Sequence, residues 1–104
     1  MIIKYNIEIS SRVVDKELER MLNQIYKLLP SREEGVNWEL PLSTVIEEIA
    51  GMHRLLIDQE DIVFPLLCKL EGLFTLKGED DFFVFRRTIF ECLGMINNLR
   101  DAIC

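Results

Sequence analysis

Residues 80–104, DDFFVFRRTIFECLGMINNLRDAIC, decide the fold. Phe82, Phe85, Ile89, Cys92, Ile96, Leu99 and Ile103 recur at alternating spacings of three and four, which lines one face of a helix. Phe83, Phe90 and Leu93 add a second apolar edge, and Asp80 or Asp81 suits the helix start. A hairpin over residues 73–85 competes, because Leu73 to Leu76 and Phe82 to Phe85 are rich in β-formers. The helical period beyond Phe85 argues against it.

Working back from there, Ile62, Leu66, Leu67, Leu70, Leu73 and Phe74 predict a third helix closed by Lys77-Gly78. In it Pro65 falls in the first turn if Asp61 is the cap. Leu42, Val45, Ile49, Met52 and Leu56 predict a second, with Pro41 in its first turn and Thr44 to Glu47 as a capping box. Val14, Leu18, Met21, Ile25 and Leu28 predict a first, stopped by Pro30. Before it, Ile3, Tyr5, Ile7 and Ile9 alternate with polar residues, the period of a half-buried strand. The expectation is a mainly α protein, a four-helix up-down bundle preceded by one N-terminal β-strand. It forms a single helical domain over residues 1–104. The strand would pair with residues 36–40, with its own copy across a dimer, or with the sheet edge of a partner. Gly51, Gly72 and Gly94 fall inside helices and are expected at close helix crossings.

Composition narrows the function. The chain of 104 residues is 49% hydrophobic and 29% charged, as expected of a folded globular protein. Its longest apolar run, residues 62–68, is far short of a membrane span of about 20 residues, and no signal-peptide pattern opens the chain. A soluble, cytoplasmic protein is expected. Cys68, Cys92 and Cys104 are odd in number and widely spaced, so they read as reduced thiols, with Cys68 and Cys92 buried and inert. One histidine, His53, and no Cys-x-x-Cys, Glu-x-x-His repeat or phosphate-binding glycine loop leave no motif for a metal, a cofactor or a common catalytic centre. No enzyme activity, cofactor or metal is expected.

The net charge of −6 is local. Residues 1–30 and 82–104 carry +1 each, whereas residues 31–81 carry −8. In an up-down bundle the first and third connections lie at the same end. Glu33, Glu34, Trp38 and Glu39 are therefore expected beside Glu79, Asp80 and Asp81, with Glu47 near them. Such a surface suits a basic protein and repels nucleic acid, with Trp38 as an aromatic anchor unless it is core. In size, acidity and lack of catalytic groups the chain resembles, in type, the small immunity proteins that block bacterial toxins. That likeness implies a non-catalytic inhibitor of a basic partner such as a nuclease toxin. The alternative is a structural homo-oligomer, for instance a homodimer, with the strand or the Phe83, Phe90, Leu93 edge of the last helix as its seam.

Overall fold

The computed structural model describes residues 2–52, 56 and 58–103, and side chains within that set from Arg12 to Ala102. Four helices follow one another: α1 (Ile2–Glu33), α2 (Glu39–Gly51), α3 (Glu60–Gly72) and α4 (Phe82–Ile103). Short 3-10 turns at Leu73–Thr75 and Glu79–Asp81 join α3 to α4. The four stripes point inward. Val14, Leu18, Met21, Ile25 and Leu28 of α1 meet Leu42, Val45 and Ile49 of α2, and Leu66, Leu70, Phe85, Ile89, Cys92, Ile96 and Leu99 close the same core. Each helix packs against its chain neighbours, and α1 packs against α4, so α2 and α4 stand on a diagonal.

The N-terminal strand is not what forms. Residues 3–9 belong to α1, and no strand occurs among the described residues, so the expected pairings with residues 36–40 or across a dimer have no counterpart. The alternation was ambiguous. Ile3, Ile7 and Val14 are spaced by four and then seven residues, which also fits the α1 stripe in the sequence. A helix satisfies its backbone groups internally, which a lone strand cannot do. Pro30 does not stop α1 either. It removes one N–H and is exposed, and the helix runs on to a glycine-closed end. There Gly35 adopts φ +74°, its N–H donates to Arg32 O (3.3 Å), and Val36 N–H donates to Ser31 O (2.8 Å). This is the Schellman arrangement, which needs the left-handed conformation that glycine adopts freely.

α2 starts earlier than the Pro41 signal suggested. Asn37 Oδ1 accepts the N–H of Glu39 (3.0 Å) and of Leu40 (3.2 Å), while Thr44 only donates back to Leu40 O (3.1 Å). Glu60 opens α3, so Pro65 lies inside that helix. The region 73–85 holds 3-10 turns and the start of α4 rather than a hairpin. The glycines at 51, 72 and 94 do not mark close crossings among the described residues: a Cβ at any of them would meet none of these within 4 Å.

α1 and α4 run antiparallel in a register fixed by side chains. Arg32 lies over Phe82 and Phe85, Tyr26 meets Phe90, and Asp15 accepts from Arg100 Nε at 2.8 Å. In that register residues 2–11 of α1 lie beyond the last turn of α4, an overhang of roughly 15 Å at 1.5 Å per residue. The 32-residue α1 sets the long axis of a body measuring 52 × 22 × 19 Å. No helix among the described residues is long and apolar enough to cross a membrane.

Candidate functional site at the acidic end of the bundle

The C-terminus of α1, the 34–38 loop, the N-terminus of α2 and the 73–81 connection meet at one end. Arg32 ties them together. Its Nε and Nη2 donate to Leu76 O (3.2 and 2.7 Å), and Nη2 also donates to Gly78 O (2.7 Å). The same guanidinium sits 4.8 Å from the centre of the Phe85 ring and 5.3 Å from that of Phe82. Lys77 Nζ pairs with Glu39 at 2.8 Å, linking the α3–α4 connection to the start of α2. Asp81 Oδ2 accepts the Gly78 N–H at 3.2 Å, which fixes the turn that carries Glu79 and Asp80.

Six of the expected carboxylates therefore share this end. Glu33, Glu34, Glu79 and Asp80 are exposed, while Glu39 and Asp81 are half-buried and held by the contacts just described. Arg32 and Lys77 offset part of the charge, leaving six acids against two bases. Glu47 does not join them. It is exposed eight residues further along α2 than Glu39, about 12 Å down the helix axis. Its neighbour Glu48 turns to α1, where Arg20 bridges it (3.0 Å) and Glu17 (2.5 Å). Those bonds, Glu17 first and Glu48 second, push the Arg20 pKa further up and keep it charged.

Trp38 is not a free anchor. Its ring stacks on Phe74 (centroids 6.5 Å apart, 24° between planes) and meets the Phe85 ring edge-on at 5.1 Å. It is half-buried and packs against the core. Exposed apolar groups near the acids include Val36 (53% exposed) and Leu40 (67% exposed). The alternation Val36-Trp38-Leu40 implied one common face. Starting α2 at Glu39 instead rotates Leu40 away from Trp38. A sequence signal for this existed in Asn37, a good cap residue just ahead of Glu39. Below Leu40 an open groove of about 470 Å³ runs between α1 and α2, bordered by Lys27, Leu28, Pro41 and Thr44. Gln24 also lines it, and the buried Oε1 of Gln24 has no hydrogen-bond partner among the described residues.

Reactive chemistry is sparse here. No cluster of three or more His, Cys, Asp or Glu that could hold a metal is found among the described residues. His53 lies outside them, as does Cys104. Cys92 is fully buried, and burial pushes its thiol up to about 12. Cys68, expected to be buried, is exposed, because α3 turns Val63, Leu66 and Leu70 inward instead. The chain matches no protein-family model, and neither the curated proteins nor the solved structures give a significant match.

Proposed function

We propose that the protein is a non-catalytic binding module whose acidic end docks onto a basic protein surface and blocks it. One observation carries the reading: two solvent-exposed apolar side chains, Val36 and Leu40, stand among a set of carboxylates positioned by a braced backbone. An apolar centre ringed by like charge is the anatomy of a steered interface. The charges speed encounter and select the partner, and the desolvated apolar groups slow its release. The groove beside Leu40 offers room for a side chain from the partner. The partner that fits is basic. A nuclease toxin silenced by an immunity-type protein is an arrangement of this chemistry, and cytoplasmic residence would suit it.

The test is recovery of a basic partner from the native source at low salt, followed by affinity measurements on variants. Glu33→Lys with Glu34→Lys should weaken binding and flatten its salt dependence, and Leu40→Asp should weaken it at every salt concentration. Tight binding that survives all three changes together would place the site elsewhere.

A further inference from the structure

Gly94 is the thirteenth of the 22 residues of α4, and nothing among the described residues accounts for it. Gly51 and Gly72 close their helices, where glycine is common. Mid-helix glycine lowers helix stability relative to alanine. A Cβ at Gly94 would meet nothing within 4 Å, so no neighbouring helix demands the gap. The gap faces outward, on a stripe with Phe83, Arg87 and Phe90 at spacings of four, three and four. Phe83 is 68% exposed and Phe90 44% exposed, large values for two aromatics on one helix face. Tyr26 props Phe90 edge-on from α1, and Arg86 lies 5.1 Å from its ring centre.

We propose that this face of α4 is a two-fold seam with a second copy of the chain, the two α4 helices antiparallel and Phe83 of each seated over Gly94 of the other. One register satisfies the whole face. With Phe83 opposite Gly94, Arg87 comes opposite Phe90 of the second copy and beside its Glu91. A cation then meets a ring and a carboxylate at once. The two-fold axis repeats each contact, so the face is complementary to itself in shape and in charge. Lys69 already holds Glu91 Oε1 at 3.1 Å, which orients that carboxylate on the outer surface. The seam lies diagonally across the bundle from α2 and leaves Val36 and Leu40 uncovered.

Sedimentation equilibrium of the full chain over a micromolar dilution series tests the seam. The wild type should dimerise, and Gly94→Leu or Phe83→Ser should weaken the dimer by at least about tenfold. Both positions are open to solvent in the single chain, so circular dichroism should show an intact fold. Arg87→Glu and Glu91→Arg should each be monomeric alone. Mixed in equal amounts they should dimerise, because every 87–91 contact then joins opposite charges. A wild type that stays monomeric overturns the proposal, even if a different protein binds this face. So does a dimer indifferent to Gly94→Leu, or a mixture no better than its components. Glu33→Lys and Leu40→Asp should leave dimerisation unchanged, which separates failure of the seam from failure of the acidic site.

Discussion

Replacing Arg32 by methionine removes the donor that braces the acidic end while keeping most of the aliphatic stem. Two carbonyl oxygens, of Leu76 and Gly78, lose a charged donor at 2.7 Å. Hydrogen bonds to charged groups contribute about 1.5–3 kcal/mol each when well shielded. The Leu76 bond is half-buried and the Gly78 bond is exposed, so water recovers much of the second. Taking the low end for the first, a fraction for the second and about 0.5 kcal/mol for the ring contacts gives a loss of roughly 2–3 kcal/mol. For a domain of this size that is a fall in Tm of about 10–15 °C. Urea and thermal unfolding followed by circular dichroism would measure it. Arg32→Lys should recover only part, since an ammonium cannot reach two carbonyls with a planar fork. Binding gives a second readout. The methionine variant makes this end more negative, so a purely electrostatic site would bind a basic partner more tightly. If the braced backbone matters, affinity falls instead. A loss of under about 0.5 kcal/mol, or full rescue by lysine, would refute the role given to Arg32.

Phe85→Ala should cost about 3–5 kcal/mol, because the ring is wholly buried between Trp38 and the core. The shift in Trp38 fluorescence on urea unfolding would report both the loss and the altered ring environment. In a Cys104→Ser background, a thiol reagent at pH 8 should modify Cys68 alone in the folded protein and Cys92 only after unfolding. Stability should also depend on alkaline pH through Cys92. The folded thiol keeps its proton up to about 12, whereas the unfolded thiol releases it near its ordinary value of 9.0. The contribution is therefore complete below pH 9 and is lost between there and pH 12, at up to about 1.4 kcal/mol per pH unit. Cys92→Ala should flatten that part of the profile.

The α4 stripe was legible because Phe85, Ile89, Cys92, Ile96 and Leu99 keep one phase over four turns, and no strand can share that period. The meeting of Glu33, Glu34 and Glu39 with Glu79, Asp80 and Asp81 was legible from parity alone, since alternate connections of an up-down bundle share an end. Short or uniformly apolar segments were harder. Four alternating residues at 3–9 fit a strand and, through Ile3 and Ile7, a helix equally well. The apolar run 62–68 leaves the phase of α3 undetermined, so Val63 was missed and Phe64 and Cys68 lie outside. Pro30 looked like a stop because a helix-breaking residue is local information, whereas the packing of Leu28 and Leu29 that holds the turn around it is not. Trp38 turned inward because Phe74 and Phe85, distant in sequence, stack against it.

The overhang of α1 has a consequence for how order spreads along the chain. A peptide of about ten residues is too short to hold a helical state in water by itself. Residues 2–11 therefore continue a rod begun elsewhere, each added turn resting on the one anchored by Val14 and Leu18. Amide exchange in α1 should therefore be slowest from Val14 onward, where the buried stripe anchors the helix, and should approach the global unfolding rate there. One continuous helix thus carries the buried stripe of the bundle and extends past the last turn of α4.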